Sequence, residues 1–403
     1  MKKICFVAEY MYCGGTEKSL LSLLNYLDRE KYDITILLMK KKGDLLPQLP
    51  NDVKVDEIPV PEDEVEDLLQ GRSAALICAI KSGQFFKAVK KAYRGIKMSI
   101  QTHSGAEKRL WYYQSIEKKL KEYPGEFDAV IDYMGYGLFN TFYAARKIHG
   151  KVKISWVHFE PDQAMPDFYA FGELLNEYDH IMCVSQNSMK QVQNMIPELE
   201  GKCRVFYNIV NKENLQKKAK EEKIKKLTER FYVLSVGRLD PPKGFDMGIK
   251  VISRLYGEGY PVKWQIIGEG WQRKELEDRI SSDKNAINCV ELLGQKLNPY
   301  PYFAACDIYF MPSRHEGYGI VLAEAKAFNK PIVVTDFAGA REQLINGETG
   351  IIAECTEESL YQALKQMLDD ESLREKFENN LAKIQDDYPS QIAILENIIE
   401  ENV

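Results

Sequence analysis

The feature that most constrains the fold is an alternation of short apolar runs with segments of helical periodicity. In the first half of the chain, apolar runs of strand length occur at 4–8, 34–39, 129–133, 154–157, 181–184 and 204–207. Between these runs, apolar residues recur at helical spacing, for example Leu20, Leu21, Leu23, Leu24 and Leu27. Strands that alternate with helices predict a parallel sheet with helices on both faces. The first half is therefore predicted to be α/β.

A charged, poorly apolar stretch follows, and then the alternation restarts. The apolar runs of the second half lie at 232–236, 264–267, 308–311, 332–335 and 350–353. The stretch suits either a solvated helix or an interdomain connector, and the restart favours the connector. We predict an N-terminal domain at 1–210, a connector at 211–230 and a C-terminal domain at 231–386. Thr356 is expected to cap a helix at 357–368, and a last helix is expected at 387–403, with a return to the N-terminal domain as one option.

Composition excludes several classes of protein. The 403 residues are 45% hydrophobic and 28% charged, which is typical of a soluble globular protein and excludes disordered and collagen-like chains. A net charge of −6 argues against nucleic acid as the main partner. The eight cysteines form no Cys-x-x-Cys pair, which favours reduced thiols, and no apolar run is long enough for a signal peptide or a membrane span. The expected location is the cytoplasm.

Four loops at predicted strand ends carry unusual residues, and the carboxyl ends of parallel strands are where α/β folds bind ligands. The first loop contains Gly14 and Gly15 and leads into the Leu20 helix. Paired glycines allow a ligand to approach the backbone, and a helix N-terminus offers free N–H groups to an anion. A tight turn with Thr16 as the helix N-cap explains the same residues equally well.

The second loop contains two cations around a pair of prolines. Arg238 and Lys243 both lie between the end of a predicted strand and the start of a helix. Positive charge that converges there suits a diphosphate, with arginine as a planar fork and lysine as a point charge. Two surface cations beside a turn are the alternative.

The third loop is rich in glycine and contains Glu316, and Glu324 follows two turns into an otherwise apolar helix. A carboxylate among apolar side chains is costly to bury unless it is hydrogen-bonded, so a ligand hydroxyl is an attractive partner for Glu324. The pair His315-Glu316 lacks the second histidine of a zinc helix. In the fourth loop a strand ends on His158, which suits either a structural hydrogen bond or catalysis.

Taken in order, the first three loops and two further segments resemble the motifs of a known enzyme family. The matching motifs are Gly14-Gly15-Thr16-Glu17, Gly237-Arg238 with Lys243-Gly244, Gly268-Glu269-Gly270, the stretch from Ser313 to Gly319 with Glu324, and Asn346-Gly347-Glu348-Thr349-Gly350. In order and spacing they are similar to the family-four glycosyltransferases, also called group 1 glycosyl transferases, which are retaining enzymes. The resemblance spans nearly the whole chain and implies the GT-B fold, with two Rossmann-like domains that face each other across a cleft.

The resemblance also implies roles for individual residues. The C-terminal half would bind a sugar nucleotide and the N-terminal half the acceptor. Arg238 and Lys243 would hold the diphosphate, Glu324 would accept the ribose hydroxyl groups, and Glu316 would face the transferred sugar. His158 corresponds to the histidine that family members direct at the donor sugar.

Other donor contacts implied by the resemblance come mainly from the backbone. The N–H groups of Gly319, Ile320 and Val321 would meet the phosphates together with the Gly14-Gly15 loop. The segments that contain Gly268, Gln295 and Lys296 would lie near the base.

The implied reaction moves a hexosyl unit from a nucleoside-diphosphate sugar, with uridine diphosphate favoured by family frequency, to a glycan or lipid-linked acceptor. No cofactor or metal is expected, because cations and helix N–H groups can carry the charge of the leaving group and the chain has no Asp-x-Asp triplet. The residues leave open front-face attack or a nucleophilic Glu316. A sugar-nucleotide epimerase and a non-catalytic carbohydrate- or nucleotide-binding protein are the alternatives.

Two positions depart from the family pattern. Ile209 replaces a proline of the family's connector segment, and Phe159 follows His158 where a small or acidic residue is more usual. The first departure predicts a softer hinge at the connector. The second leaves open where the His158 side chain points.

A basic stretch at 81–97 affects which kind of acceptor is expected. It contains no acid and carries the cations Lys81, Lys87, Lys90, Lys91, Arg94 and Lys97. Its apolar residues share one helical stripe: Phe85, Phe86, Val89, Tyr93 and Ile96. The helix suits docking on an anionic membrane, at the inner face of the plasma membrane, or an amphipathic cover of the N-terminal sheet with solvated cations. Trp111-Tyr112-Tyr113 suits either an interfacial anchor or the core.

Overall fold

The chain divides into two compact units. The structure, a computed structural model, describes residues 1–69, 77, 79–81, 83, 85–135, 137–227, 229–385 and 388–401. The N-terminal unit comprises Met1–Phe206 and Ile392–Val403, and the C-terminal unit comprises Tyr207–Gln391. The division therefore falls just before the connector expected at 211–230, and the last helix divides at Gln391.

The N-terminal unit is built on a parallel sheet of seven strands. They are β1 (Lys2–Ala8), β2 (Tyr32–Leu38), β3 (Lys54–Glu57), β4 (Glu126–Asp132), β5 (His149–Val157), β6 (His180–Cys183) and β7 (Cys203–Val205). Their order across the sheet is β3-β2-β1-β4-β5-β6-β7. All six predicted strands are present, and β3 was not predicted.

The C-terminal unit repeats the arrangement with six parallel strands. They are β8 (Phe231–Val236), β9 (Val262–Ile267), β10 (Val290–Gly294), β11 (Ile308–Met311), β12 (Ile332–Thr335) and β13 (Ile351–Ala353). Their order is β10-β9-β8-β11-β12-β13. The predicted α/β class with two Rossmann-like domains is confirmed, and β10 was not predicted.

Helices connect the strands in both units. Those of the N-terminal unit are α1 (Gly15–Tyr26), α2 (Glu62–Leu69), α3 (Phe85–Gln101), α4 (Gly105–Ile116), α5 (Phe139–Lys147), α6 (Pro161–Ala164), α7 (Gly172–Leu175) and α8 (Gln186–Met195). Those of the C-terminal unit are α9 (Lys212–Ala219), α10 (Phe245–Gly257), α11 (Arg273–Ser282), α12 (Ala286–Cys289), α13 (Tyr300–Ala305), α14 (Ile320–Ala327), α15 (Ala338–Gln343), α16 (Glu357–Asp369) and α17 (Glu371–Ala382). The last helix, α18 (Tyr388–Glu401), belongs to the N-terminal unit from Ile392 onward. Short 3₁₀ helices occur at Leu46–Gln48, Glu117–Lys119, Phe168–Phe171, Pro197–Lys202 and Pro241–Lys243.

Helix starts test two of the sequence predictions. Thr356 caps α16 as expected, with its hydroxyl accepting a hydrogen bond from the amide of Ser359 at 3.2 Å. Thr16 as the N-cap of α1 is wrong, because Gly14 holds that position and Thr16 lies inside the first turn. The N-cap glycine is extended and has no side chain that could cap α1.

The core of the C-terminal unit explains why its strands are apolar throughout. Val233 belongs to the cluster on one face of the sheet, and its neighbour Leu234 belongs to the cluster on the other face. Both faces are covered by helices, as is typical of parallel sheets.

Helix α9, in the stretch expected to be a connector, buries Leu215 and Ala219 in the second cluster. That stretch is therefore part of the unit.

The structure contradicts one of the two expectations for helix α3. Its apolar stripe is exposed, so an amphipathic cover of the sheet with solvated cations is wrong for this helix. Lys91 and Arg94 instead turn toward α2 and pair with Asp67 and Glu64. The side chain of Lys87 lies outside the described residues.

The aromatic residues at 111–113 belong mainly to the core. Tyr112 and Tyr113 are buried in the main cluster of the N-terminal unit, and Trp111 packs partly against it. None of the helices in the described part of the chain combines the length and apolar character needed to cross a bilayer.

Candidate active site

In the sheet of the C-terminal unit, β9 and β10 lie on one side of β8, and β11 and the strands after it lie on the other side. Such a switch point leaves a crevice at the carboxyl ends of the two strands, where α/β proteins bind ligands. The loop after β8 contains Arg238 and Lys243, and the loop after β11 contains Glu316. The fold therefore brings the second and third predicted loops together.

A network around Arg314 joins these two loops. Its backbone amide donates a hydrogen bond to the Pro242 carbonyl at 2.6 Å, and its guanidinium donates to the Pro241 carbonyl at 2.9 Å. The same guanidinium binds both carboxylate oxygens of Asp246 at 2.8 and 2.9 Å. Burial alone would raise the pKa of Asp246, but the hydrogen bonds and charge of Arg314 lower it. Gly244 has φ +65° and lies close to the loop after β11. A Cβ atom at Gly244 would be 2.0 Å from the Pro312 carbonyl oxygen, so the two loops pack tightly against each other there.

The centre of the crevice is an ion pair between Lys243 and Glu316. The Lys243 ammonium contacts Oε1 of Glu316, and the Ser313 hydroxyl donates to the same oxygen at 2.9 Å. Both charged side chains are mostly buried. A cation and a carboxylate are thus held at the switch point before any ligand is bound, and the contacts of the described residues with this carboxylate use Oε1.

Arg238 is not part of this pair. Its side chain is 81% exposed and lies 3.4 Å from Asp240 at the surface. The expected convergence of Arg238 and Lys243 on one point is therefore absent among the described contacts. A long exposed guanidinium remains able to reorient toward an anion.

Glu324 is the most buried carboxylate of the predicted set. Only 3% of the residue is exposed, and its Oε1 accepts a hydrogen bond from the Tyr300 hydroxyl at 3.0 Å. Its Oε2 is buried and has no hydrogen-bond partner among the described residues. Burial, with added repulsion from Glu324 and Glu316, raises the pKa of the Tyr309 hydroxyl well above its usual range. A buried carboxylate oxygen without a partner is the feature expected of a group that binds a ligand hydroxyl.

Helix α14 begins at the same crevice. Gly319 is its N-cap with φ +75°, and no side chain of the described residues caps the helix. The amide groups of Ile320 and Val321 belong to the first turn, where an α-helix offers no internal acceptor. Such a turn can receive an anion through backbone N–H groups.

The loops after β9 and β10 lie beside the β8 loop through backbone contacts. Gly268 has φ +154°, and a Cβ atom there would lie 1.8 Å from the carbonyl oxygen of Gly237. Its amide donates to the Gly294 carbonyl at 3.0 Å. Gln295 and Lys296 follow directly at the end of β10. The residues predicted near the base therefore share the strand-end side of the sheet with Lys243.

Gly14, Gly15 and His158 lie in the N-terminal unit, at the carboxyl ends of β1 and β5. His158 Nε2 donates a hydrogen bond to the Tyr133 carbonyl at 2.8 Å, because a carbonyl oxygen can only accept. Nδ1 therefore carries the lone pair. Desolvation lowers the pKa of His158 to about 3, although the bond to Tyr133 opposes this shift. The imidazole is neutral at physiological pH, with Nδ1 as an acceptor.

Sequence reasoning missed the residues that hold these groups in place. Tyr300 orients Glu324 from a different helix, and no local pattern links two residues 24 positions apart. Ser313 binds Glu316 three residues later, a spacing that was visible in the motif. Arg314 was part of a quoted motif without a role, and its bidentate pair with Asp246 depends on the packing of two loops.

A family model matches the part of the chain that contains the crevice in the C-terminal unit. Residues 216–384, most of the C-terminal unit, match the model described as glycosyl transferases group 1. The C-terminal unit belongs to this family. The predicted motifs from Gly237 to Gly350 all lie inside the matched segment.

Two curated relatives match part of the chain. A Campylobacter jejuni protein named N-acetylgalactosamine-N,N'-diacetylbacillosaminyl-diphospho-undecaprenol 4-alpha-N-acetylgalactosaminyltransferase is 34% identical over 220 residues, which cover 52% of this chain and 58% of that protein. CapM of Staphylococcus aureus, a capsular polysaccharide biosynthesis glycosyltransferase, is 28% identical over 43% of this chain and 47% of its own length. The chain thus spans about half the length of the curated relatives it matches.

Solved structures cover the whole chain. A crystal structure of Anabaena HepE in complex with UDP and glucose matches with a TM-score of 0.69 at 18% identity, over 99% of this chain and 100% of that one. WaaG, a glycosyltransferase involved in lipopolysaccharide biosynthesis, matches with a TM-score of 0.63 at 15% identity, over 98% of this chain and 99% of that one. These similarities confirm the predicted GT-B fold of the chain.

Proposed function

We propose that this protein transfers a hexosyl unit from a nucleoside-diphosphate sugar to a glycan or lipid-linked acceptor, with retention at the anomeric carbon and without a metal. The observation that carries the proposal is the Lys243–Glu316 pair at the switch point of a sheet whose unit belongs to the group 1 glycosyltransferases. Next to it lie a helix N-terminus and a buried carboxylate with one oxygen that has no partner in the described part of the chain.

In the proposed reaction, breakage of the bond between the anomeric carbon and the diphosphate places negative charge on the leaving group. Lys243 and the first amide groups of α14 stabilise that charge, and Arg238 reorients from the surface to join them. Charge stabilisers that are held in place before the reaction contribute most of the rate in such steps. These groups make a metal ion unnecessary in the proposal.

Glu316 is assigned to the sugar. When the diphosphate draws Lys243 away, Glu316 faces the reacting carbon, and the acceptor attacks from the side of the departing phosphate, which takes its proton. The roles of His158, Gly14 and Gly15 toward the donor stay predictions. The neutral imidazole, with Nδ1 as the acceptor, suits acceptance of a hydrogen bond from a sugar hydroxyl.

The donor and acceptor classes draw support from the relatives' names. HepE was crystallised with UDP and glucose, which supports a UDP-sugar. The name of the Campylobacter jejuni relative includes diphospho-undecaprenol, which supports a lipid-linked acceptor. We extend both features to this chain as part of the proposal.

The test is a transfer assay with a panel of UDP-hexoses and lipid-linked acceptors in excess chelator. We expect turnover without added metal, and a product whose anomeric configuration, read by nuclear magnetic resonance, equals that of the donor. Complete loss of turnover in chelator that magnesium or manganese restores would contradict metal independence, and an inverted product would contradict retention. An epimerase would convert the sugar nucleotide without an acceptor, and a non-catalytic protein would bind it without turnover.

Glu324→Gln is expected to weaken the binding of UDP roughly 10- to 150-fold, the value of a hydrogen bond to a charged group. Glutamine keeps the size of the side chain and an acceptor for Tyr300 but removes the charge that would hold the ribose hydroxyl groups. Calorimetric titration measures the effect, with 2′,3′-dideoxyuridine diphosphate as a second ligand.

The dideoxy ligand separates a direct contact from a structural effect. Wild type should distinguish it strongly from UDP, and Glu324→Gln should lose most of that distinction. Tyr300→Phe, which leaves the carboxylate in place, serves as the control and should have a smaller effect. Equal UDP affinity in wild type and folded Glu324→Gln would show that the ribose lies elsewhere.

A further inference from the structure

Helix α3 presents an apolar face to solvent. Six large side chains, each more than half exposed, form the α3 face: Phe85, Phe86, Val89, Tyr93, Ile96 and Ile100. At 100° per residue all six lie within one third of the helix circumference. Phe86, at 90% exposure, is the most prominent of them. A contiguous apolar surface of this kind indicates an interaction site.

The opposite side of α3 explains why this face points outward. Ala88 and Met98 are buried there, and the side chain of Lys91, only 8% exposed, contacts Asp67 of α2. Arg94 binds Glu64 through two hydrogen bonds of 2.7 and 3.1 Å. The helix thus uses charged pairs toward the protein and leaves its apolar residues for another partner.

Positive charge borders the α3 face. Lys90 and Lys97 are exposed, and their helical positions lie along one edge of the face, next to Phe86. The helix contains no acidic residue between 85 and 101. An apolar face with a cationic border is the pattern of a helix that lies in the plane of an anionic membrane surface.

We propose that the α3 face docks on an anionic lipid surface, with its aromatic and aliphatic side chains inserted at the headgroup boundary and Lys90 and Lys97 paired with lipid phosphates. This proposal goes beyond the reaction proposed above and does not depend on the donor or on catalysis. A second copy of the chain is the less suitable occupant, because two such helices would bring their own lysines together without an acidic partner on either.

The test is co-sedimentation of the full chain with vesicles, at low and high salt. Vesicles that contain phosphatidylglycerol should bind the protein, and pure phosphatidylcholine vesicles should bind it much less. High salt should release most of it, because screening shortens the Debye length from about 10 Å at 0.1 M to about 3 Å at 1 M.

Two pairs of variants separate insertion from charge. Phe86→Ser with Tyr93→Ser should weaken vesicle binding at least about tenfold at either salt concentration, since both inserted rings are lost. Lys90→Gln with Lys97→Gln should weaken binding to the anionic vesicles by about 30-fold and remove its salt dependence, given about 1 kcal/mol per cation near the surface. Matched controls in the C-terminal unit, Leu227→Ser with Ile287→Ser and Lys223→Gln with Lys284→Gln, also alter exposed residues and should bind as wild type.

Three results would overturn the proposal. The first is wild-type protein that stays in the supernatant with anionic vesicles at low salt. The second is unchanged vesicle binding by the Phe86→Ser, Tyr93→Ser variant. The third is concentration-dependent self-association in sedimentation velocity, lost in that variant, which would assign the α3 face to a second copy. None of these readouts uses turnover, so failure here is distinguishable from failure of the proposed reaction.

Discussion

Lys243→Ala is expected to lower kcat/KM for sugar-nucleotide turnover by about 10²–10³, or roughly 2.7–4 kcal/mol of transition-state stabilisation. The ammonium of Lys243 lies mostly buried at the switch point, where it already pairs with Glu316. Charge that builds on a departing diphosphate at this point would be stabilised more strongly than in water. The measurement is steady-state kinetics with the active UDP-sugar.

Lys250→Ala is the matched control for this variant. Lys250 lies in α10, and its ion pair with Glu357 is at the surface, where such pairs contribute about 0–1 kcal/mol. This control should turn over normally. Near-normal kcat/KM in folded Lys243→Ala would show that the leaving group is stabilised elsewhere.

Glu64→Ala is expected to lower the free energy of unfolding of the N-terminal unit by about 3–5 kcal/mol, the usual cost of removing one partner of a buried ion pair. The Glu64 carboxylate is 2% exposed and accepts hydrogen bonds from Arg94, Lys119 and Tyr112. Burial alone would raise the pKa of Glu64, but these three donors lower it to about 2. The stabilisation is therefore present above the ordinary glutamate pKa of 4.5 and is lost as the pH falls toward 2.

Urea denaturation followed by a signal from the N-terminal unit measures this change. Glu62→Ala, in the same helix and exposed, is the control and should change the unfolding free energy by less than about 0.5 kcal/mol. Hydrogen exchange should also show that Glu64→Ala lowers protection in α3, because Arg94 loses its partner. Equal stability of the two variants would contradict the assigned role of Glu64.

The strands that a sequence pattern predicts best are those buried on both faces. Runs such as Ile308–Met311 are apolar throughout, and the structure forms β11 over those residues. The two strands that the pattern missed, β3 and β10, lie at the edges of their sheets. Edge strands are partly solvated, and Lys54–Glu57 contains one apolar residue among three charged ones. The segment 54–57 therefore carries too little apolar signal for a pattern to detect.

The direction in which a helix face points and the pairing of distant side chains were less predictable than the positions of helices and strands. The periodicity of α3 identified an apolar stripe, but only the packing of Lys91 and Arg94 on α2 determines that this stripe points to solvent. In the same way, the loops after β8 and β11 were predicted as sites, whereas the pairing of Lys243 with Glu316 depends on which strands are neighbours. Sequence separation of 73 residues gives no local sign of this contact.

The central claim is that the loops after β8 and β11 bind the diphosphate of a nucleotide. Calorimetric titration in chelator, with UDP, GDP, ADP and the matching nucleosides against wild type and Lys243→Ala, tests it most directly. We predict that wild type binds one nucleoside diphosphate far more tightly than its nucleoside, and that Lys243→Ala loses most of this difference while its affinity for the nucleoside is unchanged. Equal affinity of wild type and Lys243→Ala for that diphosphate, or no binding of any of the three by wild type, would contradict the claim.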